Sequence, residues 1–156
     1  MGRGLDPDAG TSDGTRPLHW AVWQGQLPVC ELLLSAAADL HSRNAYGCNA
    51  IQWAAQSDEA EGLPVVRWLL RRGLDVGLLN CNGHSAVHKA AVKGRRAVCE
   101  WLLSPEGGGL GARHLRADGD GNTPSVMARL EGFAELAAWL AAREAEAGGS
   151  AGAPCT

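Results

Sequence analysis

Four short segments of this chain carry one pattern, and that recurrence limits the fold more than any other feature. They are "DGTRPLHWAVWQG", "YGCNAIQWAA", "NGHSAVHKAAVKG" and "DGNTPSVMARLEG", led by Gly14, Gly47, Gly83 and Gly121. The leading glycines stand 33, 36 and 38 residues apart. Each segment precedes a second apolar stretch: "LPVCELLL", "LPVVRWLL", "AVCEWLL" and "AELAAWLAA". Trp68, Trp101 and Trp139 hold one place in three of these stretches, and Leu32 holds it in the first. A period of this length belongs to a stacked array, in which a unit too small to bury its own apolar face covers it against its neighbours.

Local signals agree with the period. Each leading glycine follows a polar or aromatic residue, as a turn with positive φ requires. Asn49, Ser85 and Thr123 stand where a helix N-cap belongs. Pro17 and Pro124 follow at the first helical position, where a missing N–H does no harm. Ala21, Ala54, Ala55, Ala90, Ala91 and Ala128 then let the first helices of adjacent units approach closely. A second turn is expected at Gly25, Gly62, Gly94 and Gly132, before second helices with apolar residues at helical spacing, such as Val98, Trp101 and Leu102. Two insertions break the period. "QSDEAEG" lengthens the second unit between its helices, and "SPEGGGLGARH" lengthens the third, with Gly107, Gly108 and Gly109 marking a flexible loop. Residues 1–10 and 147–156, rich in Gly, Ala, Asp and Ser, read as disordered tails.

At the head of the first helix the units read "RPLH", "NAIQ", "SAVH" and "TPSV". Residues 11–146 resemble the ankyrin-repeat family, whose unit of about 33 residues joins a β-turn to two antiparallel helices behind a Thr-Pro-Leu-His signature. The resemblance implies an all-α solenoid of stacked helix-turn-helix units with β-turn fingers, its repeats at about 11–43, 44–79, 80–117 and 118–146. It implies that His19 and His88 bond backbone between repeats. It also implies a non-catalytic scaffold for protein–protein interaction, without cofactor, metal or small-molecule substrate. An unidentified partner protein would sit on the concave face and the turn tips. The residues expected there are Thr15, Trp23, Gln24, Arg43, Tyr46, Cys48, Asn82, His84, Lys93, Asp120 and Asn122. Trp23 and Tyr46 are the candidate anchors, because interface hot spots are enriched in Trp, Tyr and Arg. Trp20 and Trp53 share a place in first helices and are expected to be partly buried, and Trp68, Trp101 and Trp139 belong to the core.

Other chemistry is weaker. A net charge of −3 and a pI near 5.9 argue against nucleic acid as the partner. No apolar run reaches the roughly 20 residues that span a bilayer. The first residues lack the apolar segment of a signal peptide, and Asp6 stands where a myristoylation signal wants Ser or Thr. Cys30, Cys48, Cys81, Cys99 and Cys155 form an odd set without a CxxC pair, so a reducing, intracellular setting (cytoplasmic or nuclear) is expected. His84 lies in the turn before its helix, so it and His88 are not paired on one helix face. "GGGLG" lacks the strand and the Gly-Lys-Ser/Thr ending of a phosphate loop, and "DGDGN" lacks the Glu that closes a calcium loop. The alternatives are a metal- or redox-responsive module using Cys48, Cys81 and His84, and a targeting or regulatory module of a larger assembly. The first repeat has no polar cap, which leaves Leu18, Trp20 and Leu27 to be covered by the tail or by self-association.

Overall fold

The computed structural model describes residues 9–151, without the side chains of residues 59–61 and 148–151. Of the two expected tails, residues 1–8 and 152–156 lie outside the described residues. Residues 147–151 are helical, a correction: they continue the last helix beyond its Ala- and Glu-rich stretch at 141–147. The helices come in four pairs: α1 (Pro17–Trp23) with α2 (Leu27–Ser35), α3 (Ala50–Ala54) with α4 (Glu59–Arg71), α5 (Ala86–Val92) with α6 (Arg96–Leu103), and α7 (Pro124–Leu130) with α8 (Ala134–Ala151). A 3-10 turn spans Ala112–Leu115, and no strand occurs among the described residues. The fold is all-α.

The expected N-caps form. Asn49 Oδ1 accepts the Ile51 N–H at 3.0 Å, Ser85 Oγ the Val87 N–H at 3.1 Å, and Thr123 Oγ1 the Val126 N–H at 3.4 Å. Leu18, Ile51 and Val87 from first helices meet Leu69, Leu102 and Leu140 from second helices in one fully buried core. Ala54, Ala55, Ala90 and Ala91 are also fully buried, so the first helices pack with little between their backbones. Trp68 belongs to this core, while Trp101 and Trp139 pack against it half-buried.

The signature place ties each repeat to the next. His19 Nδ1 accepts the Arg16 N–H at 3.0 Å, and His88 Nδ1 accepts the Ser85 N–H at 3.1 Å. Each proton therefore sits on Nε2, which donates to the Ser42 carbonyl at 3.2 Å in the first case and to the Arg116 carbonyl at 2.9 Å in the second. Gln52 does the same work in the second repeat, donating to the carbonyls of Leu78 at 3.0 Å and His84 at 2.8 Å. The fourth repeat has Val126 there. Beside it, Glu144 of α8 takes the N–H and the hydroxyl of Ser125, at 2.8 and 2.6 Å.

Both insertions depart from expectation. Gly62 makes no turn: "QSDEAEG" adds a helical turn to the front of α4, and Gly62 lies inside it. A Cβ at Gly62 would stand 2.9 Å from the Ser57 Cβ. The Gly107–Gly109 segment is a defined structure that folds back on the end of α6. Gly108 N–H donates to the Trp101 carbonyl at 2.9 Å and Leu110 N–H to the Leu102 carbonyl at 2.9 Å. These residues must be glycine for closeness, because a Cβ at Gly107 or Gly108 would lie 2.4 or 2.7 Å from those same two carbonyl oxygens.

One residue is strained. Ala37 has φ +74°, at the place that Gly73 (φ +87°) takes in the second repeat. A left-handed alanine costs on the order of 1 kcal/mol. Ala37→Gly is therefore expected to raise the unfolding free energy by about 1 kcal/mol and Tm by about 3 °C. Thermal melting followed by circular dichroism measures this, and an unchanged or lower Tm would show that the position carries no strain.

Candidate partner-binding face

The fingers are built by one recurrent device. Asn44 Oδ1 accepts the N–H groups of Tyr46 and Cys48, Asn80 Oδ1 those of Asn82 and His84, and Asp118 Oδ1 those of Asp120 and Asn122, all at 2.9–3.0 Å. A short polar side chain thus closes each turn on its own backbone. Neighbouring fingers join by single backbone bonds: Ala45 N–H to the Asp13 carbonyl at 2.6 Å, Cys81 to Tyr46 at 2.9 Å, and Gly119 to Asn82 at 2.7 Å. The leading glycines make this approach feasible. A Cβ at Gly47, whose φ is +76°, would stand 3.2 Å from the Cys81 nitrogen.

This framework lays three rows of side chains along one face. Asp13, Tyr46, Asn82 and Asp120 form the tip row. Thr15, Cys48, His84 and Asn122 form the row between fingers and helices. Trp20, Trp53, Lys89 and Met127 form the row on the first helices. A hollow of about 310 Å³ opens between the rows at the second and third repeats, walled by Tyr46, Cys48, Gln52, Trp53, Asn82, His84 and Lys89 among others. Beside it the indoles make one continuous patch. Trp20 lies 5.5 Å from Trp53 and 5.8 Å from Trp23, centroid to centroid, and Trp53 stacks on His19 at 6.0 Å. Trp20 is 43% exposed and Trp23 40%.

The expected site residues separate by row. Tyr46, Asn82 and Asp120 are exposed at the tips, as are Arg43, Trp23, Gln24 and Lys93 on the same face. Tyr46, Cys48, Asn82 and His84 line the hollow. Thr15 is a correction, since it is buried at 2% exposure, and Cys48 is more enclosed than expected at 7% although it still walls the hollow. Their row points into the narrow space under the fingers, which also leaves His84 and Asn122 only partly exposed. Trp20, expected to be partly buried, is 43% exposed and packs against Trp53 of the next repeat. Gln52, Gln56 and Lys89 were not expected in the hollow at all. Their signal was the register itself, because each follows a tryptophan or signature position by one repeat.

The three groups of the metal or redox alternative are engaged separately. His84 Nε2 meets Asp118 Oδ2 at 2.7 Å, linking the third and fourth fingers. Burial pushes the Asp118 carboxyl up, but the Asn122 and Asp120 N–H groups and His84 together hold it below the ordinary carboxylate value. Cys48 Sγ donates to Gln52 Oε1 at 3.2 Å and receives Asn80 Nδ2 at 3.5 Å. Cys81 is exposed, with Sγ 4.0 Å from the Ala45 carbonyl. The His84 and His88 rings lie 5.6 Å apart, closer than their places in the sequence suggest, yet each has a protein partner of its own. Among the described residues no three His, Cys, Asp or Glu side chains gather where they could share an ion. Nor is any described helix long and apolar enough to cross a membrane.

Comparison with known proteins agrees with this geometry. The family model for ankyrin repeats in three copies matches residues 51–149, and the model for a single ankyrin repeat matches residues 13–45. Human diacylglycerol kinase iota is 33% identical over 101 residues, 62% of this chain and 9% of the kinase. Ankyrin repeat and SAM domain-containing protein 6 from Rattus norvegicus is 36% identical over 75 residues, 47% of this chain and 8% of that protein. Tyrosine-protein kinase Shark from Drosophila melanogaster is 32% identical over 99 residues, 62% of this chain and 10% of the kinase. The chain spans about a tenth of the length of these relatives. With the family pattern matched across both the first repeat and the remaining three, the chain belongs to the ankyrin-repeat family.

Proposed function

We propose that this chain is a protein-recognition module without catalysis of its own, and that it holds a partner protein against its fingers and first helices. The observation that carries the reading is the patch of Trp20, Trp23 and Trp53 beside the hollow. Two of these indoles are about half exposed on rigid helices, where an aromatic side chain gives large contact area at little entropic cost. The exposed tips of Tyr46, Asn82 and Asp120 and the ends of Gln24, Lys93 and Arg43 extend the surface as a polar rim. The relatives carry the matched segment as a small part of a longer chain, which favours a module that a larger assembly uses. The four cysteines among the described residues are free thiols, which suits a reducing compartment, cytoplasm or nucleus.

The test uses immobilised chain exposed to cell lysate, with retained proteins identified by mass spectrometry and their affinities then measured individually. Replacing both Trp20 and Trp23 by alanine is expected to weaken the partner by about thirty-fold, or about 2 kcal/mol. The variant should keep its helical circular dichroism, since both side chains reach solvent. A partner held equally by the wild type and this variant would move the binding surface elsewhere.

A further inference from the structure

The register lays charge along the hollow as well as aromatic surface. In the order of the stack, its walls include Asp13 from the first repeat, Tyr46 and Trp53 from the second, and Asn82, His84 and Lys89 from the third. An anion thus stands at one end and a cation at the other, with two aromatic side chains between them. The backbone bond from Ala45 to the Asp13 carbonyl sets the finger that carries Tyr46 beside the finger that carries Asp13.

Neither charge is answered within the protein. The Asp13 carboxylate takes the Thr11 hydroxyl and, at 3.0 Å, the Thr15 N–H. Hydrogen bonds from Thr11 and then Thr15 hold its pKa below the ordinary carboxylate value, so it is ionised at neutral pH. No basic side chain pairs with it among the described residues. Lys89 is half-buried, and its ammonium has no hydrogen-bond or ion-pair partner among the described residues. His84 on the same wall is already engaged with Asp118 at 2.7 Å. Opposite charges that share a hollow without meeting each other leave each open to a complement from outside.

We propose that the hollow receives a stretch of partner protein bearing one basic and one acidic side chain, the base at the Asp13 and Tyr46 end and the acid at Lys89. This rests on the reading of the face as a protein-recognition surface, and adds the charge pattern of what is recognised. A guanidinium suits the first end, because it can lie on an aromatic ring while it bonds a carboxylate. Tyr46 is 59% exposed and so offers that ring. A carboxylate suits the second end, where Lys89 supplies the charge and the side-chain amide of Asn82 has no partner among the described residues. A doubly acidic segment would bring one carboxylate against Asp13, and a doubly basic one would bring a cation against Lys89. The two ends therefore select a mixed sequence. First helices pack about 8–10 Å apart and an extended chain rises about 3.3 Å per residue, so one repeat step corresponds to about three residues of the partner.

The test titrates nitrogen-15-labelled full chain with capped peptides Leu-Arg-(Ala)n-Glu, n from two to five, at low salt. The leucine is there to meet the Trp20 and Trp23 patch. Shifts of the Trp53 indole N–H and of the Tyr46 and Asn82 amides read binding. The best spacer should bind with Kd on the order of 1 mM. Gln in place of either charged peptide residue should weaken it about threefold. Lys89→Gln should cost the Arg–Glu peptide about threefold and the Arg–Gln peptide nothing, and Asp13→Asn should cost the Arg–Glu peptide the same and the Gln–Glu peptide nothing. Neutral peptides that bind as well as charged ones, variants that weaken both alike, or no shift at about 10 mM peptide overturn the proposal. The two charge variants are also assayed against the partner retained from lysate. A partner lost by the Trp20 and Trp23 double variant, yet held at full affinity by both charge variants, overturns the charge pattern and leaves the recognition reading standing. Peptides that bind as expected, beside a partner indifferent to Trp20 and Trp23, keep the charge pattern and take only the indoles out of the partner's surface.

Discussion

Replacing His88 by alanine is expected to lower the unfolding free energy at pH 7.5 by about 3 kcal/mol and to remove most of the protein's sensitivity to mild acid. The imidazole is 1% exposed and bonded at both nitrogens, to the Ser85 N–H and the Arg116 carbonyl. Alanine removes the partner of the buried Ser85 N–H and the tie to the Arg116 carbonyl, and it opens a void between the third repeat and the fourth finger. The pH dependence has a definite sign. Burial pushes the His88 pKa down to about 4 from 6.5, although the Arg116 carbonyl and the Asp118 charge pull it upward; His84 and His114 reinforce the fall. Between these values the unfolded chain binds a proton that the folded chain refuses. Stability is therefore complete above pH 6.5 and declines as the pH falls toward 4. The full loss is about 3 kcal/mol, at roughly 1.36 kcal/mol per pKa unit. Burial lowers His114 as well, so it adds a loss of the same sign. Urea denaturation at pH 7.5, 5.5 and 4.5 tests both statements. The wild-type and alanine curves should lie about 3 kcal/mol apart at the top of this range and converge toward its bottom. A gap that stays constant with pH would mean that His88 accepts its proton in the folded state.

The reason these residues could be read from sequence is that repetition turns weak local signals into a register. "SAVH" alone says little, but beside "RPLH" and "NAIQ" it places Ser85 at a cap and His88 over the next finger, and the structure agrees at both. The same register located the fingers and the core leucines. It failed where a repeat departs from its siblings. Gly62 read as a turn because glycine usually ends a first helix there, yet the added residues were long enough to wind one more turn of α4. Gly107 and Gly108 read as slack because glycine runs commonly are, whereas here they let the chain lie against the end of α6. The candidate face was legible only in part. Position along the chain told which residues sit in fingers, but not that the residue before each N-cap turns inward and buries Thr15 and Cys48. Nor could it show how much of Trp20 and Trp23 stays at the surface, at 43% and 40% exposure, because the helical period does not encode how far a large side chain is covered.

The dependence of each repeat on its neighbours yields the second large effect. Leu69 is fully buried in α4, among residues of the second and third repeats. Leu69→Ala is expected to lower stability by about 3–4 kcal/mol, the removed methyl and methylene groups adding to the void they leave. The same substitution at Leu32, which is mostly exposed at the matching helix of the first repeat, should change stability by less than about 0.5 kcal/mol. The spatial pattern is the sharper part. An array whose units touch only adjacent units transmits damage over short range. Native-state hydrogen exchange of the Leu69→Ala chain should thus show α1 through α4 losing protection first. The Ala86–Leu103 and Pro124–Leu140 helices should hold theirs longer, because Val87, Leu102, Leu140 and the Glu144 cap still cover one another. Uniform loss across all eight described helices would instead mark a single cooperative unit. The stacking energy between the second and third repeats would then exceed the damage done to either one.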